Sequence, residues 1–220
     1  RITVTNCIMK SRCTALKIGT ETNGDFKNIT VSNCVIYDTR CMGIAVESCD
    51  GSHVEGIIID NITMHNVACP IFVFAGKRMR APEDMHESKI NDVFITNVFA
   101  DTHNEPYESK YFAYSMKGST KENWHEIYEK NFCFPSMIVN YTSNPMNNIV
   151  LQNVSVKVVG GKKMSDINYK HNPTGTPSDE MFGPTLPCYG LFVVNTPDLK
   201  LNNVKFELIN PDERPETYVE

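Results

Sequence analysis

Two short stretches of this chain, "RCTALKIGT" (residues 12–20) and "RCMGIAVES" (residues 40–48), repeat one another 28 residues apart and differ in their charged positions. The first carries Lys17 where the second has Ala45, and Gly19 where the second has Glu47. An ammonium and a carboxylate set diagonally on neighbouring copies can pair, and the same groups can grip a charged ligand or move a proton. Arg40, Asp50 and the "GKRMR" cations Arg78 and Arg80 are expected near the rim of the same face. A guanidinium there can hold a carboxylate through two parallel bonds. The plain alternative is a solvated outward face with one ordinary Lys–Glu pair, worth at most about 1 kcal/mol.

The elements that must position these groups come from a repeat running the length of the chain. "ITVTNCIM", "ITVSNCVI", "IIIDNITM", "VFITNVFA", "IVLQNVSV" and "LKLNNVKF" each read apolar, any, apolar, any, Asn, apolar, any, apolar, with the Asn at 6, 33, 61, 97, 153 and 203. Self-similarity at such a period is the mark of stacked architectures. Apolar residues two apart share one face of a strand. The Asn suits a bend between two short strands, because it tolerates a left-handed backbone and its amide can bond main-chain groups. Strands that recur with no helical pattern between them stack in parallel at about 4.8 Å, giving an all-β solenoid. Each Asn then lies over the last, and their amides can form a ladder.

Leu16, Ile18, Ile44 and Val46 are expected to point inward, and Lys17, Gly19, Ala45 and Glu47 outward, where copies are free to differ. The same offset brings Cys13, Cys41 and Cys69 into register, and nearly so Cys7 and Cys34. The eight cysteines show no metal-type C-x-x-C spacing and read as stacked small hydrophobes, the alternative being a disulfide between neighbouring coils. A net charge of −5 argues against general nucleic-acid binding, and no apolar run is long enough to span a membrane as a helix. The six histidines form no spaced metal pair. The whole of 1–220 reads as a single partial domain, cut at both ends, with insertions at about 103–146 and 160–187 that can wall a groove. Tyr107, Tyr111, Phe112, Tyr114 and Trp124 in the first insertion could stack on sugar rings, or simply pack their loop. Sequons at Asn28, Asn61, Asn140 and Asn153 are by-products of the template.

The run from "ITVTNCIMKSRCTALKIGT" to "GIIIDNITMHNV", with the later "MFGPTLPCYGLFVVN" and "LKLNNVKFEL", resembles the carboxy-terminal coils of the polygalacturonase family, glycoside hydrolase family 28, in its divergent bacterial branch. The resemblance implies a right-handed parallel β-helix and hydrolysis of pectin-like, acidic polysaccharide, with no cofactor and no metal. It also implies a secreted or periplasmic location, a polysaccharide or oligosaccharide as the partner, and no nucleic acid or membrane partner. The family's Gly-Asp-Asp is missing, and by register it falls one coil before Arg1. Its Gly-His-Gly falls on Cys13, Thr14 and Ala15, so Thr14 stands for the histidine. Its Arg-Ile-Lys falls on Ala45, Val46 and Glu47.

Lys17, Thr14, Arg40, Asp50, Arg78 and Arg80 are therefore expected to bind substrate, with Glu47 as a catalytic carboxylate. Glycoside hydrolysis needs one carboxyl of raised pKa to protonate the leaving oxygen and another to activate water, about 6.5–9.5 Å apart for inversion. A second assignment puts both catalytic carboxylates upstream and gives Glu47 a binding role. A lyase or epimerase on the same scaffold would bring a calcium site of clustered carboxylates, which the sequence lacks. A non-catalytic sugar-binding or structural solenoid is the alternative outside enzymes.

Overall fold

The computed structural model of this chain describes residues 1–11, 13–81, 86–102, 133–170 and 182–220. The strands are β1 (Ile2–Thr5), β2 (Ile8–Lys10), β3 (Leu16–Ile18), β4 (Phe26–Ser48), β5 (His53–Ala75), β6 (Lys89–Thr102), β7 (Ser136–Asn140), β8 (Asn147–Gly160), β9 (Leu191–Val194), β10 (Leu199–Asn210) and β11 (Thr217–Val219). Among the described residues helical backbone is confined to 3-10 geometry, in a turn at Met164–Asp166 and at Phe182. All pairings between these strands are parallel, and together they make one curled sheet. β4 and β5 span it. Their first halves continue into β6, β8 and β10, and the second half of β5 continues into β7, β9 and β11.

The asparagines of the repeat make the bends. Asn6, Asn33, Asn61, Asn97, Asn153 and Asn203 all hold positive φ, between 53° and 56°, a conformation that Asn adopts with least strain after Gly. Their amides form rungs: Asn61 donates to Asn33 at 2.7 Å, Asn153 to Asn97 at 3.0 Å and Asn203 to Asn153 at 2.9 Å. Between Asn61 and Asn97 the rung shifts to Asp60, which accepts from Asn97 at 2.8 Å. A second column of bends joins Asn28, Gly56, Asp92 and Asn148, all with positive φ, one residue before the stacked Ile29, Ile57, Val93 and Ile149. The template did not reveal it, because its residue type changes from copy to copy.

Inward residues of both rows meet in one apolar core, where Ile57, Ile59, Ile62, Ile71 and Val73 are fully buried. Each such side chain contributes about 1.5–3 kcal/mol. The outward side of the second row is also covered. Ala45, Phe72, Met137 and Phe192 stack in register there, joined by Phe182 and Leu186 from a later stretch, in a second apolar cluster. The expectation that this face stays open is corrected: downstream copies place large apolar groups over it.

Two further expectations change. The first insertion, taken to run to 146, contains β7, which pairs Phe72 with Met137 and Val73 with Ile138. The cysteine column breaks, because a register shift between Thr39 and Met42 sets Cys69 opposite Met42 instead of Cys41. All eight cysteines are thiols, none joined in a disulfide. The histidines 103, 125 and 171 and the aromatic residues 107–124 singled out above lie outside the described residues.

Candidate functional site

The expected offset holds at the site. Leu16, Lys17 and Ile18 of β3 pair with Ile44, Ala45 and Val46 of β4. Gly19, at φ 94°, passes so close to the Glu47 carbonyl that a side chain would collide with it. Lys17 reaches diagonally to Glu47, with Nζ 3.2 Å from Oε1. The other oxygen, Oε2, accepts the Thr20 hydroxyl at 2.8 Å.

Glu47 departs from the expectation in exposure. It alternates away from the main core, as predicted, yet it is wholly buried because Phe74 stacks beside it and the second cluster closes the face. Lys17 remains 30% exposed along its side chain. The ammonium is within ion-pair distance of Oε1 but not aligned as a hydrogen bond, so that oxygen has no hydrogen-bond partner among the described residues. Burial raises the Glu47 carboxyl above its ordinary value, against the opposing pull of Lys17 and the Thr20 bond.

Asp50 and Arg78 are not free for a ligand. Arg78 Nε donates to Asp50 Oδ1 at 2.9 Å and its Nη2 donates to Oδ2, a two-pronged pair with both side chains buried. The Arg80 amide adds a third bond to Oδ1, at 3.1 Å. The guanidinium holds the Asp50 carboxyl below its usual range. These two side chains, expected from the sequence to bind substrate, form an internal clasp with each other. The Arg80 side chain is exposed.

Thr14 donates to Met42 Sδ at 3.3 Å, and Arg40, half-buried, donates from Nη1 to Cys41 Sγ at 3.7 Å. The structure thus gathers Lys17 with Glu47, and Asp50 with Arg78 and the Arg80 backbone. Cys49 lies between these two groups. Its thiol is pushed up first by burial and then by the Glu47 charge, with Arg78 opposing.

Sequence reasoning missed three participants. Thr20 bonds Glu47, and Thr22, fully buried, accepts the amides of Cys49 and Asp50 at 3.3 and 3.2 Å. Both follow from applying the offset of 27 or 28 residues backward from 47 and 50. The third is a second buried clasp near the carboxy-terminal end, where Arg214 bonds Asp212 twice, at 2.9 and 2.8 Å, and the Leu186 carbonyl at 3.1 Å. Its signal was the charge-dense "PDERPE".

Among the described residues no three His, Cys, Asp or Glu side chains are grouped to hold a metal ion, and no helix is long and apolar enough to cross a membrane. Comparison with protein-family models, curated proteins and solved structures gives no match.

Proposed function

We propose that the curled sheet is a portion of a right-handed parallel β-helix, and that the protein hydrolyses glycosidic bonds of an acidic, pectin-like polysaccharide outside the cytoplasm, with inversion. The observation carrying this reading is the setting of Glu47. A general acid must keep its proton near neutral pH, and burial biases this carboxyl that way. Lys17 supplies the link to an anionic substrate. A uronate carboxylate that draws the partly exposed ammonium away from Glu47 removes the main influence lowering its pKa. The proton is then held more firmly until the leaving oxygen takes it. Arg80, exposed at the rim, offers a second cation. The base that activates water is assigned to a carboxylate outside the described residues, since both Asp50 oxygens are engaged by Arg78.

A second reading, sugar binding without turnover, is favoured by the enclosure of Glu47 and the engagement of Asp50. The discriminating experiment incubates the chain with polygalacturonate and a panel of acidic oligosaccharides. Hydrolysis predicts new reducing ends without unsaturated products, lost in Glu47→Gln. Measurable binding with no product across the panel selects the second reading. Absence of both product and binding overturns the two together.

A further inference from the structure

One cluster plays no part in the reading above. Cys13, exposed, and Cys41, buried, lie on neighbouring stacked segments, where the Cys41 amide donates to the Cys13 carbonyl at 3.0 Å. Main chains so stacked stand about 4.8 Å apart, inside the roughly 4.4–6.8 Å that Cα atoms joined by a disulfide span. Around the two sulfurs, Thr14 Oγ1 lies 4.0 Å from that of Cys13, and Arg40 Nη1 donates to that of Cys41 at 3.7 Å.

We propose that Cys13 and Cys41 form a dithiol–disulfide couple, with Cys13 attacking and Cys41 resolving, which a small-molecule disulfide closes across the two segments. The Cys13 thiolate attacks one sulfur of the oxidant RSSR. A Cys13–S–S–R bond forms, and RS⁻ leaves and takes a proton from solvent. Cys41 then gives its proton to solvent, attacks the Cys13 sulfur and expels the second RS⁻. Two protein thiols lose two electrons, and one disulfide becomes two thiols.

The roles follow from the surroundings. The attacking sulfur must be reachable and ionised, and the resolving one must be adjacent and shielded. The Cys13 thiol is lowered to about 5, chiefly by its hydrogen bond from Cys41, with Thr14 and the Lys17 ammonium adding to it against burial. Among the described residues, Glu47 and Arg40 are further charged groups at hand. Other thiols differ: burial pushes Cys188 up to about 12, and Cys69 already donates to the Ile71 and Pro135 carbonyls. The bond would pin the segment between β2 and β3, which leads directly to Lys17, onto β4.

The test uses the reduced 220-residue chain, oxidised glutathione as the disulfide and peptide mass mapping. The expected end product is a Cys13–Cys41 cross-link with loss of two hydrogens. Cys41→Ser should stop at a glutathione adduct on Cys13, and Cys13→Ser should give neither. In the unaltered chain, iodoacetamide at pH 6 should label Cys13 about tenfold faster than any other cysteine, a measurement that does not depend on either variant folding. A persistent adduct on Cys13 in the unaltered chain, cross-links spread among other cysteines, or labelling of Cys13 no faster than the rest would each overturn the proposal.

Discussion

Arg78 and Glu47 are ionic residues with buried side chains and opposite thermodynamic signs. Arg78→Ala leaves the Asp50 carboxylate enclosed with the Arg80 amide but without its two-pronged partner. Removing one partner of a buried pair costs about 3–5 kcal/mol, so urea unfolding should report a loss near 3 kcal/mol, and Arg78→Lys, which keeps the charge but not the fork, a smaller one. Glu47 behaves in the other direction. Its carboxyl is raised in the folded chain, so its contribution to stability is fully present below the ordinary value of 4.5 and is lost as pH rises through the folded value. Glu47→Gln should therefore be more stable than the parent at pH 7 to 8 and lose that advantage below about pH 4. Equal stability of the two proteins at pH 8 would show that Lys17 and Thr20 fully offset the burial. If Glu47 is the acid, the same variant is the more stable and the inactive one. Its alternation away from the main core was legible from period-two spacing. Its burial was not, because the residues covering it come from copies far along the chain.

At the scale of elements, the asparagine bends show what a single sequence can and cannot disclose. The template at Asn6 to Asn203 was readable because one residue type serves both needs, a left-handed backbone and a side-chain rung. The column through Asn28, Gly56, Asp92 and Asn148 meets the first need with three residue types, and so hides from a search for identity. The shift at Thr39–Met42 is similarly silent in sequence, since one extra residue in β4 leaves the apolar alternation on both sides intact. The covered outer face did leave a trace: "PIFVFA", "SMIVN" and "LFVVN" are continuous apolar runs, the pattern of strands buried on both sides. Reading only the first two copies, with Lys17 and Glu47, concealed it. The two roles of the bend residue can be separated at Asn153, which donates to Asn97 and accepts from Asn203. Asn153→Gly keeps the backbone and loses two exposed rungs, a cost of about 1 kcal/mol or less. Asn153→Ala also forces a left-handed alanine, adding about 1–2 kcal/mol. Chemical denaturation should rank the parent above Gly and Gly above Ala, and the reverse order of the two variants would mean that tolerance of a left-handed backbone is not what the bend residue supplies.

For the whole molecule, the carboxylates set the acid limit of the fold. Asp50 and Asp212, each gripped by its arginine, are held below the usual range, and Glu87, bonded by Lys77 and Ser143, is drawn down to about 2. A depressed carboxyl contributes stability above its unfolded value, 3.8 for Asp and 4.5 for Glu, and that contribution is lost as pH falls through the folded value. Stability should thus fall steeply below about pH 4, while Glu47 alone among these four gains from protonation. The two arginine clasps are enclosed, with side chains no more than 8% exposed, whereas Asp25 and Asp38, also depressed, sit 43% and 30% exposed beside lysines. Salt screens exposed pairs far more than buried ones. If the clasps dominate, the midpoint of acid unfolding followed by circular dichroism should scarcely move on adding about 0.5 M sodium chloride, a concentration that screens surface pairs, and Arg214→Ala should shift it to higher pH. A midpoint that follows salt and ignores Arg214 would assign the acid limit to the exposed lysine pairs instead, and would leave the stacked apolar columns as the main support of the fold at the carboxy-terminal end.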